Sequence, residues 1–296
     1  MNYTGEIAGL ATAICWTITA MSFQVASRRI GSVSVNLIRL VFAFVFYMAY
    51  SKIFLNQWLP IDAPLKAWIY LSISGLIGFV LGDFFLFKSY EFISSKISML
   101  IMTLAPPVAA LLGWFMLAER FTWMNLLGML LVIFGVSFVI MKKDVENGIK
   151  KSRYSLKGIL FAFLGAVGQG VGAVFSKIGM GDYDPFASSQ IRVITGIIGF
   201  AILITIMKRW NVVVKGVSDK KASKALIIGS FFGPFLGVSL GMVAFKFTTL
   251  GVASTLMATV PVFILLPSHL ILKEKLTINE LIGAVFAVAG IGLFFL

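Results

Sequence analysis

Residues 106–135 read PPVAALLGWFMLAERFTWMNLLGMLLVIFG, and residues 261–290 read PVFILLPSHLILKEKLTINELIGAVFAVAG. Set against each other at an offset of 155, they share Pro106 with Pro261, Leu117 with Leu272, Glu119 with Glu274, Thr122 with Thr277, Gly128 with Gly283 and Gly135 with Gly290. A proline inside an apolar run, a glutamate at its end and a glycine-spaced apolar run after it thus occur twice. The chain is a duplication, and a duplication constrains the fold before any local reading does.

Working outward from this stretch, weaker matches extend the repeat over both halves. Gly9, Ser27 and Arg28 correspond to Gly158, Ser176 and Lys177, Ile38 and Arg39 to Ile191 and Arg192, and Gly75, Phe87 and Lys88 to Gly233, Phe245 and Lys246. The apolar segments number ten, near 5–26, 35–54, 65–87, 95–117, 123–141, 156–176, 186–207, 222–245, 252–272 and 278–296. Each approaches the roughly 20 residues that a helix needs to cross about 30 Å of hydrocarbon. Five segments fall in each half. Because five is odd, the second half enters the membrane in the opposite sense, which predicts an all-α integral membrane protein of ten transmembrane helices in two inverted repeats. The expected division is 1–141, a basic linker at 142–155, and 156–296.

Composition agrees with a membrane-embedded chain. Hydrophobic residues make up 59% and charged residues 12%, about half the charged share of a soluble domain, and the mean hydropathy is +0.98. Helices are the expected spanning element, since the alternation of a membrane barrel is absent. The net charge of +13 does not indicate nucleic acid, because the basic residues lie between apolar runs. Of the 25 Lys and Arg, eighteen fall in the connections after odd-numbered segments, five on the opposite side, and Arg39 and Arg192 inside segments. By the positive-inside rule the eighteen are cytoplasmic and both termini are outside. The first run has no basic leader before it, which speaks against a removable signal peptide, and the lone Cys15 offers no disulfide or metal framework.

The residues quoted above resemble the EamA-type ten-helix transporters of the drug/metabolite transporter superfamily. The resemblance covers essentially the whole chain. It rests most specifically on Pro106, Leu117, Glu119, Arg120, Thr122, Gly128 and Gly135 and on their second copy, Pro261, Leu272, Glu274, Lys275, Thr277, Gly283 and Gly290. It implies a transporter, usually an exporter, of amino acids or other small metabolites, with a cavity lined by helices 1, 3, 4, 6, 8 and 9. Members are often drawn with both termini inside, whereas the charge distribution here argues the reverse.

Ionisable groups inside apolar segments are costly, about 2.5–3.5 kcal/mol on insertion scales, so each needs a reason. Asp83 is the one carboxylate well inside a segment. It is a candidate for a proton-coupling or substrate-ammonium site, or it pairs structurally with Lys88 or Arg39. Arg39 and Arg192 are repeat counterparts suited to snorkelling, to binding carbonyls at a helix end or to holding an anion. His269, the only histidine, suits proton coupling with an ordinary pKa of about 6.5, and equally suits hydrogen-bonded packing. Glu119 and Glu274, with Thr122 and Thr277, are expected to cap the helices that follow them. Pro106, Pro107, Pro261 and Pro267 predict kinked or unwound helices near mid-membrane. Trp16, Thr19 and Gln24, Met102 and Thr103, Gln169, Met242, and Thr255 and Thr259 with Met257 are the candidate substrate contacts on the cavity helices. Gln169 stands among glycines that allow close backbone approach, or that serve helix packing alone.

No phosphate-binding loop and no His/Cys cluster appears in the sequence, so neither ATP hydrolysis nor a cofactor is expected. Secondary transport of a small molecule across the bilayer, with possible proton or cation coupling, is the expected function. A membrane-bound enzyme would instead show turnover without flux. A receptor or scaffold would carry sizeable soluble loops, and the longest polar interruption here is 142–155 or 208–221.

Overall fold

The computed structural model describes residues 3–117, 122–141, 143–146, 149–152, 154–247 and 256–294. Ten helical spans account for most of these described residues. α1 (4–30) and α2 (32–54) form one continuous run bent at Gly31, whose φ of 76° is open to glycine without a Cβ penalty. α3 is Leu65–Ser89, α5 Trp123–Ile140, α6 Leu156–Met180, α7 Pro185–Ile206, α8 Lys220–Phe247 and α10 Ile278–Phe294. α4 consists of Ser95–Met102 and Ala105–Leu117, and α9 includes Val260–Phe263 and Leu265–Leu272. A two-stranded antiparallel hairpin, β1 (Lys143–Glu146) and β2 (Ile149–Ser152), connects the halves.

The packing follows the duplication. α1 packs on α8, where Gly229, Gly233 and Gly237 leave room for Phe23, Thr19 and Trp16, and α6 packs on α3, where Gly168 and Gly172 meet Gly82 and Gly78. Exchanging each helix with its counterpart five later turns one of these pairs into the other. α2 packs on α7, α4 on α9 and α5 on α10, pairs that the same exchange maps onto themselves. The chain is therefore an all-α membrane protein built from two inverted five-helix repeats. The repeated glycines sit on this pseudo-axis: a Cβ on Gly135 would lie 2.7 Å from the Gly283 carbonyl oxygen, and one on Gly290 would lie 2.7 Å from that of Gly128.

The predicted helix breaks are present and also obey the repeat. α4 is interrupted at Thr103 and Leu104, just before Ala105-Pro106, and α9 at Ala258 and Thr259, just before Val260-Pro261. Proline withdraws a backbone donor, so the helix restarts with the ring in its first turn. Two further irregularities were not predicted. Wide-turn π segments occupy Gly75–Gly82 in α3 and Phe231–Gly237 in α8, where Pro234 again removes a donor. The carbonyl that Pro234 leaves without its N–H lies one wide turn earlier, and there the Thr19 hydroxyl approaches the Gly229 oxygen at 3.5 Å, while the hydroxyl of Tyr47 donates to the Pro234 carbonyl itself at 2.7 Å.

Three other details depart from the sequence reading. The polar interruption at 208–221 contains a short helix, Trp210–Val217, whose Val213 and Gly216 are buried, Gly216 against Ile30. Too short to span, it was hidden among basic residues. The helix after Thr277 is capped by Glu280, not Glu274: Glu280 Oε2 accepts from the Thr277 backbone N–H at 3.1 Å, half of a capping box. Glu119 and Arg120 lie outside the described residues. On the face opposite the hairpin, Tyr183 and Gln57 donate to Asp62 at 2.6 and 2.8 Å. The Tyr183 bond leads in holding the Asp62 carboxyl below its ordinary value, so this tie is intact above the usual carboxylate range and is lost as pH falls through the lowered value.

Substituting Gly290→Ala should force α5 and α10 apart, because its Cβ would meet both the Gly128 oxygen and the Val132 nitrogen at 2.7 Å. The expected loss is about 1–3 kcal/mol of stability, read as a lower thermal midpoint in detergent. Val285→Ala on the exposed side of the same helix should leave the midpoint nearly unchanged.

Candidate functional site

The repeat interface holds a cavity of about 300 Å³. Its walls come from α1, α3, α4, α6, α8 and α9, with Arg39 of α2 and Arg192 of α7 reaching in from behind. The breaks in α4 and α9 place Thr103 and Pro106 on one wall and Ala258 and Pro261 on another. Most of the lining is apolar or aromatic. A few polar groups converge at one place, the arrangement that characterises small-molecule sites.

Those groups centre on Asp83. Its Oδ2 pairs with Arg39 Nη2 at 2.5 Å, and its Oδ1 accepts from Gln169 Nε2. Asp83 is 6% exposed and Arg39 3%, so the pair is fully desolvated. Arg39 is held by Asn36, whose Oδ1 accepts from Nε at 3.2 Å, while Asn36 Nδ2 donates to the Ser32 carbonyl at 3.0 Å. Gln169 also donates to the Gly78 carbonyl at 3.2 Å, inside the π segment of α3. That α3 approaches α6 closely enough for this bond is the work of Gly78, Gly82, Gly168 and Gly172.

Arg192 is also buried, 6% exposed, and stands differently. Its Nε has no hydrogen-bond partner among the described residues. The guanidinium lies over the Phe79 ring, 4.5 Å from its centroid, and Arg39 approaches the same ring at 5.5 Å and Phe87 at 4.8 Å. A desolvated cation–π contact contributes about 2 kcal/mol, less than the several kcal/mol of burying an ion. Two guanidinium groups thus stand beside one carboxylate, which pairs with Arg39 alone.

The structure sorts the predicted contacts into three groups. Trp16, Thr19, Asp83, Met102, Thr103, Gln169 and Met242 all face the cavity. Gln24 does not: it is buried below, donating to Glu274 Oε1 at 3.0 Å and accepting from the Ser95 backbone N–H. Thr259 turns back to the Leu256 carbonyl at 2.5 Å and stabilises the break in α9. His269 is exposed, with Nδ1 2.9 Å from the Glu274 carbonyl oxygen, apart from the cavity. Thr255 lies outside the described residues. The open pairing of Asp83 is resolved toward Arg39, since Lys88 instead binds Glu91 at 2.6 Å.

Sequence reasoning did not find Phe79, Phe87, Tyr90 and Met99, which line the cavity; nothing in an apolar run separates a lining aromatic from a packing one. It also missed the lock beneath the cavity. There Lys96 reaches Glu280 at 3.0 Å and the Lys275 carbonyl at 2.6 Å, and Tyr154 donates to the other Glu280 oxygen at 3.0 Å. The signal was available in Lys96 and Glu280 at segment starts, but a pairing 184 residues apart in sequence has no local signature.

The family model of the EamA-like transporters matches residues 3–141 and 156–296, and the chain belongs to that family. It is 28% identical over 178 residues to an uncharacterized transporter of Clostridium kluyveri, covering 60% of this chain and 56% of that protein. It is 27% identical to an uncharacterized membrane protein of Saccharomyces cerevisiae, covering 60% of this chain and 46% of that one. The match thus spans about half the length of these relatives. A solved crystal structure superposes on 99% of this chain and 96% of its own with a TM-score of 0.63 at 16% identity, a likeness of fold alone.

Breaking the central pair from one side should be costly. Asp83→Leu alone leaves a buried cation, and Arg39→Met alone leaves a buried carboxylate; each should destabilise by about 3–5 kcal/mol, while the double variant should recover most of the loss. Thermal midpoints of the four proteins in detergent measure this cycle.

Proposed function

We propose that this chain is a secondary active transporter that exports a small metabolite, amino acids among the candidate cargoes, by alternating access between its two inverted halves. The observation that carries the reading is the cavity itself: it lies between the repeats, at the breaks in α4 and α9, and not within either half. Inverted repeats of this kind rock about a central site, and the broken helices supply the points at which α4 and α9 can bend. The halves are assigned to 1–141 and 156–296, with the basic linker 142–155 in the cytoplasm. On the same charge distribution both termini are outside and the protein resides in the cell's inner membrane.

Asp83 is assigned the coupling role. It is the one carboxylate on the described cavity wall, and its two oxygens tie α3 to α2 through Arg39 and to α6 through Gln169. Protonation removes the charge that Arg39 holds and loosens the link between the repeats made by Gln169. Arg39, Arg192, Tyr90 and Lys177, the other charged or titratable groups on the cavity wall, set the field in which that proton binds. His269, away from the cavity, is given no part in the proposed cycle.

Flux from proteoliposomes tests both assignments. Wild-type protein should release an entrapped mixture of radiolabelled amino acids and small organic acids, with at least one solute leaving faster than from protein-free vesicles. Its rate should change with an imposed pH gradient. Asp83→Asn should carry solute at a rate that no longer responds to that gradient. Absence of flux for every solute contradicts the transport reading, and an unchanged gradient response in the variant removes Asp83 as the coupling group.

A further inference from the structure

We infer that the cavity takes solutes bearing a carboxylate on an apolar body, and that Arg192 is the residue that receives the carboxylate. The inference rests on the transport reading above and names the class of cargo.

Buried arginines in this site come as a repeat-related pair with unequal partners. Arg39 faces Asp83 at 2.5 Å. The repeat counterpart of Asp83 is Gly241, which lines the same cavity and brings no carboxylate for Arg192. At Gly241 the nearest atoms to an added Cβ are side-chain atoms, the Met257 sulfur at 3.3 Å and Thr12 at 3.7 Å, and no backbone stands closer. The duplication has therefore retained both cations and one anion. Arg192 is more than nine-tenths buried, its Nε lacks a hydrogen-bond partner among the described residues, and it stands on the cavity wall. A buried donor of this kind calls for an acceptor. An arginine fork matches a carboxylate in shape and charge better than it matches any neutral group.

The rest of the lining fixes the body of the solute. Trp16, Phe79, Phe87, Met242 and Met257 surround the polar centre, and about 300 Å³ holds a small organic acid with an aromatic or branched chain. An ammonium group finds little here. Asp83 has both oxygens engaged, by Arg39 and by Gln169, and two guanidinium groups stand beside it. Amino acids are thus bound through the carboxylate, and a solute with an amine alone is repelled.

A matched series of probes on the purified full-length protein in an uncharged detergent, without added lipid, decides the matter. The probes are 3-phenylpropanoate, the isosteric 3-phenylpropanamide and 3-phenylpropylamine, each read by thermal shift and by isothermal titration. The acid should raise the melting midpoint by mass action, with a Kd at least tenfold lower than that of the amide and of the amine. Arg192→Gln should weaken the acid at least tenfold without affecting the amide, and Arg192→Lys should restore part of the loss. Equal binding of acid and amide, preference for the amine, or no response to the acid at millimolar concentration overturns the inference, as does an Arg192→Gln protein that binds the acid as wild type does. Should Arg192→Gln fail to fold, the wild-type series decides alone. Binding of the acid without flux in liposomes contradicts the transport reading and leaves this inference standing; flux of other solutes with no preference for the acid contradicts this inference only.

Discussion

Two arginines and one aspartate, all shielded from water, set the terms for the centre of this molecule. A buried ion is tolerated only when its charge is met and its hydrogen bonds are made, and here that requirement is fulfilled for Arg39 and left open for Arg192. Meeting it for Arg39 draws α2, α3 and α6 together through Asn36, Asp83 and Gln169. It also brings Phe79 into contact with both guanidinium groups, so that the charged centre and the aromatic wall are one unit. The glycines of α3 and α6 belong to the same constraint, because the polar contact between those helices requires their backbones to approach closely.

The duplication explains why the site is symmetric in outline and asymmetric in chemistry. Shared residues build the frame: Gly128, Gly135, Gly283 and Gly290 join α5 to α10 across the pseudo-axis, and the prolines of α4 and α9 break both helices at equivalent turns. Unshared residues give the frame its function. Asp83 against Gly241 divides the two arginines into a structural cation and an available one. Glu280 against Asn125 places the Lys96 lock beneath one end of the cavity. The first kind of residue fits the proposed rocking of the two halves about one site, and the second kind fits the proposed choice of cargo.

Much of this was legible in the sequence, and the divide follows from the range of the interactions. Inversion and helix number follow from counting apolar runs against a repeat, and the breaks follow from proline chemistry, both properties of the chain read locally. Trp16, Thr19, Asp83, Met102, Thr103, Gln169 and Met242 reach one cavity because polar or adaptable residues on apolar helices have few other places to go. The π segments and the Trp210–Val217 helix were not foreseen; each leans on a partner far away in sequence, Tyr47 for Pro234 and Ile30 for Gly216, whereas the Glu280 cap was missed although Thr277 and Glu280 stand at a local capping-box spacing. Gln24 and His269 show the same limit from the other side. Their residue types suggested chemistry, and their neighbours, Ser95 and Glu274, place them outside the cavity.

A single cavity that the two halves expose by turns is the central claim. Its most direct test is an accessibility measurement on Ala173→Cys, a position on the α6 wall of the cavity, in a Cys15→Ser background so that no other thiol is present. In sealed vesicles of known orientation, a membrane-impermeant maleimide should reach this cysteine from either face, in proportions that shift when a transported solute is added on one side. Labelling from one face only, whatever the solute, would contradict alternating access and with it the role of the inverted repeat in transport.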